Sequence, residues 1–120
     1  MSAILAKIPV GLLANDGDWV GFRFEEALRG KGDGIAMRVE GEVRAFRNRC
    51  PHWGTPLDQA GEPVDTSRGE VVCPMHGARF VAESGECVSG PCVGDHLEVF
   101  TAEEGEKEVV IRRRGLDLSR

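Results

Sequence analysis

The chain has 120 residues and a mass of 13.0 kDa; it is 41% hydrophobic and 29% charged, with a formal net charge of −5. That length fits one domain with a modest core, and the composition excludes a disordered or membrane-embedded chain. An acidic balance also makes nucleic acid a poor partner.

Met1 to Asp16 holds a short apolar run, but no basic region precedes it and Pro9 and Gly11 interrupt it. It fails as a signal peptide or membrane anchor, so no membrane association and a cytoplasmic location are expected. Residues 1–18 read as a weak strand and a loop closed by the turn formers Asn15-Asp16-Gly17-Asp18. Trp19 to Phe24 reads as a strand, Glu25 to Arg29 as one helical turn, and the glycine run Gly30 to Gly34 as its end. Ile35–Val39 and Val43–Arg47 flank Glu40-Gly41-Glu42 and predict a hairpin. Arg47 and Arg49 then read as a solvated strand face rather than a docking contact.

Leu57 to Glu70 is polar and reads as an exposed connection. Glu70–Cys73 is a short strand, Arg79–Val81 another, Glu83–Glu86 a turn, and Cys87–Val88 the returning strand. His96–Phe100 and Glu108–Arg112 predict a closing hairpin across Glu103–Glu106. With no long helix and many short strands between glycine-rich turns, the expected class is an all-β sandwich or barrel. Arg112-Arg113-Arg114 reads as a solvated basic end.

The chemistry lies in two boxes, Cys50-Pro51-His52-Trp53-Gly54-Thr55-Pro56-Leu57 and Cys73-Pro74-Met75-His76-Gly77-Ala78-Arg79-Phe80. Each offers a thiolate and an imidazole, at Cys-x-His and Cys-x-x-His spacing, and 20 residues separate His52 from Cys73. Singly, a cysteine is usually a small buried hydrophobe. Two such pairs on Pro/Gly-bounded loops make a metal site, suited either to one tetrahedral zinc or to an iron–sulfur cluster with an imidazole pair on one iron. Four cysteines are too few for a disulfide framework; Cys87 and Cys92, astride Ser89-Gly90-Pro91, could be brought together by a hairpin and are expected as free, partly buried thiols rather than a disulfide.

These boxes, with the later Ser84-Gly85-Glu86 and Ser89-Gly90-Pro91, resemble the small soluble ferredoxin-like members of the Rieske-type [2Fe–2S] proteins, over roughly residues 35 to 100. The gap between the boxes is a little longer than usual there, with the surplus in Gly61 to Glu70. The resemblance implies one [2Fe–2S] cluster, with Cys50 and Cys73 on one iron and His52 and His76 on the other. It implies a β-sandwich or barrel base in one domain, residues 1–120, with a small cluster-binding subdomain inserted at about residues 49–90. Gly90-Pro91 resembles the family's proline loop over the cluster.

Imidazoles in place of two thiolates raise a cluster's potential, while donors to sulfur raise it further. High-potential members supply a serine and a tyrosine hydroxyl and a disulfide between the loops; the matching positions here hold Ala78, Phe80, Thr55 and Met75. The low end of the Rieske range is therefore expected. Trp53 reads as shielding or packing, Gly54 and Gly77 as close-approach or turn glycines, and His96 as a surface or structural residue.

Once His52 and His76 are used, only His96 remains, so the chain cannot build the mononuclear iron site of an oxygenase. Nor does it carry a Gly-x-Gly-x-x-Gly fingerprint. The expected role is a one-electron carrier, not an enzyme, between a flavin-dependent ferredoxin reductase and a terminal oxygenase such as a ring-hydroxylating dioxygenase. A small subunit of a larger oxidoreductase, of the nitrite reductase type, and a zinc-stabilised binding module are the alternatives. A +2 cluster core and two thiolates cancel, so the charge stays near −5 oxidised and reaches −6 reduced, favouring a basic docking patch on a partner.

Overall fold

The computed structural model describes residues 4–26, 30–51, 54–59, 62–73, 77–90 and 92–114. Its strands are β1 (Ile4–Pro9), β2 (Trp19–Glu26), β3 (Gly30–Val39), β4 (Glu42–Arg47), β5 (Val64–Asp65), β6 (Glu70–Val72), β7 (Arg79–Val81), β8 (Cys87–Ser89), β9 (Val99–Glu104) and β10 (Glu108–Arg112), with a 3₁₀ turn at Val10–Leu13. The class is all-β, as expected. Among the described residues no helix is long and apolar enough to cross a membrane.

Six strands form an antiparallel sheet in the order β1-β10-β9-β4-β3-β2, whose edge strands β1 and β2 approach each other in a near-barrel. A second antiparallel sheet, β5-β6-β7-β8, is inserted between β4 and β9. The β3–β4 hairpin turns on Glu40 and Gly41, both at positive φ (51° and 81°), the two-residue turn whose twist matches its strands.

Strand β3 separates two cores. Ala36 joins Val43, Ala45, Phe24, Phe100, Val109 and Ile111 inside the near-barrel. Ile35, Met37 and Val39 point to the other face, where they pack with Phe46, Leu57, Val71, Phe80 and all four cysteines. Both faces of β3 are covered, which is why residues 35–39 read as a continuous buried run rather than an alternating one. Arg38, within that run, closes one end of the near-barrel. It donates to the Leu13 carbonyl, to the Gly41 carbonyl at 2.8 Å and to Glu104 Oε2 at 2.7 Å.

Four expectations about the elements are corrected. Glu25 and Glu26 belong to β2, not to a helical turn; Ala27 to Arg29 lie outside the described residues. The glycines of 30–34 do not break an element but open β3, because Phe22 pairs with Gly34 and Phe24 with Gly32. A Cβ at Gly34 would sit 2.2 Å from Phe22 Cζ, and one at Gly32 2.6 Å from Phe24 Cζ. The rings lie across the neighbouring strand where only glycine leaves room. Third, the connection 57–70 is not uniformly exposed: Leu57 and Pro63 are buried, and Val64 pairs with Val71 to add β5. The closing hairpin is also shifted, with β9 starting at Val99.

Arg79 ties the small sheet together, reaching Asp65 at 2.8 Å and Glu70 at 3.0 Å. The Ser67 hydroxyl, at 2.6 Å, and then Arg79 hold the Asp65 carboxyl down to about 2, below its ordinary 3.8. A carboxylate whose pKa is lowered by folding adds stability that is full above the unfolded value and lost as pH falls through the folded one. Asp65→Asn should therefore melt below wild type at neutral pH and converge on it as pH drops from 3.8 towards about 2. Thermal melts of both proteins across that window check this; a gap that does not change with pH contradicts it.

Candidate metal centre

Strand β4 ends at Arg47, and the first box follows as a closed loop. The Asn48 side chain clamps its base, accepting from the Leu57 N–H at 2.6 Å and donating to Asp58 Oδ1 at 3.0 Å. Inside, the Cys50 N–H donates to the Thr55 carbonyl at 2.8 Å and the Gly54 N–H to the Cys50 carbonyl at 2.7 Å. Gly54 takes φ +72°, a conformation glycine adopts without strain.

Strand β6 delivers the second box, and the same closure recurs: the Cys73 N–H donates to the Ala78 carbonyl at 2.8 Å, with Gly77 at φ +66°. In each loop a cysteine N–H meets the carbonyl five residues on, so the two boxes are built alike. The Cys50 and Cys73 side chains lie in one core and neither has measurable exposure. His52, Trp53, Met75 and His76 lie outside the described residues. Among the described residues no group of three or more His, Cys, Asp or Glu is assembled to hold a metal.

A third loop, from β8 to Leu97, closes over the second box. Gly90 takes φ +97°, and a Cβ there would fall 2.8 Å from the Ala78 Cα. Pro91 itself lies outside the described residues. Gly90→Ala joins a backbone clash to an unfavourable φ and should cost about 2–4 kcal/mol, read as a lowered melting temperature. A variant as stable as wild type would show that the third loop does not rest on the second.

Cys87 and Cys92 meet beneath this loop as thiols with their sulfurs 3.3 Å apart, and they are fully rather than partly buried. Burial first, then the Cys87 and Cys50 thiols beside it, push the Cys92 thiol up to about 12. Neither Asn48 nor the contact of Cys92 with Cys50 stood out in the sequence. A polar side chain two residues before a ligand box was the one available signal for Asn48; the cysteine contact depends on tertiary folding.

The basic residues before the first box divide. Arg47 is not a solvated strand residue: it pairs with Glu98 at 2.8 Å and Glu26 at 2.9 Å, and lies over the Phe24 and Phe100 rings. Its charge is satisfied between the sheet and the segment leading to β9. Arg49 is exposed and flanks Gly54. His96 is exposed and bridges Glu86 through the backbone, as expected of a residue outside the centre.

The chain matches the family model of the Rieske [2Fe-2S] domain over residues 18–112. It is 33% identical over 100 residues to apoptosis-inducing factor 3 of Mus musculus, a match covering 82% of this chain and 16% of that protein; the Homo sapiens protein is 32% identical over the same share. The chain thus spans about a sixth of the length of these curated relatives. Among solved structures, the ferredoxin of carbazole 1,9a-dioxygenase from Nocardioides aromaticivorans IC177 superposes with TM-score 0.73 at 20% identity, covering 95% of this chain and 99% of that one. The Sphingomonas yanoikuyae B1 ferredoxin gives 0.70 at 22%, covering 95% and 100%. A complex of reduced oxygenase and oxidized ferredoxin in carbazole 1,9a-dioxygenase gives 0.71 at 22%, covering 98% and 100%.

The all-β base with its inserted small sheet has the same fold as these ferredoxins. The chain belongs to the Rieske [2Fe-2S] domain family. Its prosthetic group is accordingly a Rieske [2Fe–2S] cluster, and the described residues fit one. Two buried thiols stand on matching loops, and the buried Thr55 Oγ1 in the first loop has no hydrogen-bond partner among the described residues. An orphaned buried hydroxyl is costly unless something occupies the space it faces.

Proposed function

We propose that the chain is a one-electron carrier in which Cys50 and Cys73 hold one iron and His52 and His76 the other, within a single domain whose cluster-binding part is about residues 49–90. The observation that carries this reading is the pair of identically closed loops, each presenting a cysteine of no measurable exposure to one core. When bound, the cluster supplies a site that accepts and returns a single electron. The protein's part is to bury the two thiols, to lay the Gly90 loop across the second box, and to present the tip to a partner. Val88 on β8, Val93 on the third loop and Arg49 on the first are exposed and open to a partner.

The partners that fit are a flavin-dependent ferredoxin reductase as donor and a terminal oxygenase, such as a ring-hydroxylating dioxygenase, as acceptor, in the cytoplasm. The likeness to ferredoxins of a dioxygenase, one of them in complex with its oxygenase, supports this choice. A second reading, a redox domain or small subunit of a larger oxidoreductase, is favoured by the curated relatives, of which this fold is only 16%. Titration with dithionite tests the shared core of both: the holoprotein should take up one electron per chain and return it to a one-electron acceptor. No uptake, or two electrons per chain, would sink the proposal. Co-purification with a large subunit in native extract selects the second reading.

A further inference from the structure

Half of the cysteines have no part in the proposed centre, yet they are folded against it. Cys87 on β8 and Cys92 beyond the Gly90 turn are 2% and 1% exposed, and their Sγ atoms are 3.3 Å apart. The backbone holds this pairing from both ends: the Cys87 N–H donates to the Asp95 carbonyl at 2.9 Å, and the Asp95 N–H to the Cys92 carbonyl at 2.9 Å. A disulfide needs sulfurs about 2.05 Å apart, so closure asks little more than a rotation of two side chains. Their chain neighbours Val88, Ser89, Gly90, Val93 and Gly94 are all exposed, so the pair lies close to the surface along the chain. Both share one buried core with Cys50, a proposed iron ligand.

We infer that Cys87 and Cys92 are an oxidisable dithiol beside the metal centre, which a small peroxide converts into a disulfide. The Cys87 sulfur attacks the peroxide oxygen, giving a sulfenic acid and water; the Cys92 sulfur then displaces the hydroxyl as a second water and gives up its proton. Hydrogen peroxide is thereby reduced to two waters, and the two thiols lose two electrons and two protons. These positions differ from Thr55 and Met75, which stand where high-potential relatives tie their two loops. The disulfide does not rest on the proposed function.

The test uses the purified holoprotein, treated with hydrogen peroxide, then unfolded and alkylated with a maleimide. Untreated protein takes up four adducts per chain. Peroxide-treated protein takes up two, is two hydrogens lighter, and yields a linked peptide containing Cys87 and Cys92; dithiothreitol restores all four. Cys87→Ser takes up three adducts before and after treatment, and Cys92→Ser serves in the same way if the first variant folds poorly. Four adducts after peroxide, or linked peptides containing Cys50 or Cys73, overturn the inference. Protein that lacks a cluster yet still forms the Cys87–Cys92 link refutes the proposed function and leaves the disulfide standing.

Discussion

Cys73→Ser, and equally Cys50→Ser, is expected to lose iron and acid-labile sulfide together and to be destabilised by about 4 kcal/mol or more, the range reached when a structural metal group is lost. Both side chains are buried among Phe46, Leu57, Val71 and Phe80, so a serine there also leaves a hydroxyl in an apolar core. That alone costs about 1–3 kcal/mol. Cys87→Ser, in the same core, should keep its full iron content. Metal and sulfide analysis with thermal melts separates the two classes of cysteine, and a Cys73→Ser protein with full iron would contradict the assignment.

Ala78→Ser is expected to raise the midpoint potential by about 40–60 mV. Ala78 is buried in one core with Cys73 and stands, by the family resemblance, among the positions where high-potential members place donors to sulfur, so a serine there should supply one. A donor favours the more negative, reduced state; a difference of about 1–1.4 kcal/mol between states is close to tenfold in the equilibrium, or about 59 mV for one electron. Wild type, with Ala78 and Phe80 at these positions, should sit at the low end of about −150 to +300 mV. A wild-type midpoint above about +100 mV, well up that range, or a downward shift in Ala78→Ser, contradicts this account of the potential.

Much of this was legible because local chemistry and tertiary role coincide. Glu40-Gly41 must turn, and Val43 and Ala45 alternate with Arg44, so the β3–β4 hairpin follows from the residues. The two boxes are legible for the same reason: each cysteine needs its own tight loop, and Gly54 and Gly77 supply it locally. What stayed hidden depends on partners far along the chain. The glycines of β3 look like a break until Phe22 and Phe24 are laid across them. Arg47 looks solvated until Glu98, 51 residues on, and Glu26 close around it. Val64-Asp65 is too short to announce a strand, and becomes one through Val71 and the Arg79 ion pairs. The Cys92 contact with Cys50 is of this kind too, since no spacing in the sequence connects them.

The electron paramagnetic resonance spectrum of the dithionite-reduced holoprotein tests the diiron centre most directly. An imidazole-ligated [2Fe–2S] cluster predicts a rhombic signal with a low average g-value and couplings from ligand nitrogen. A signal without nitrogen coupling and with the higher average of an all-cysteine cluster, or no signal from a colourless zinc protein, would contradict it.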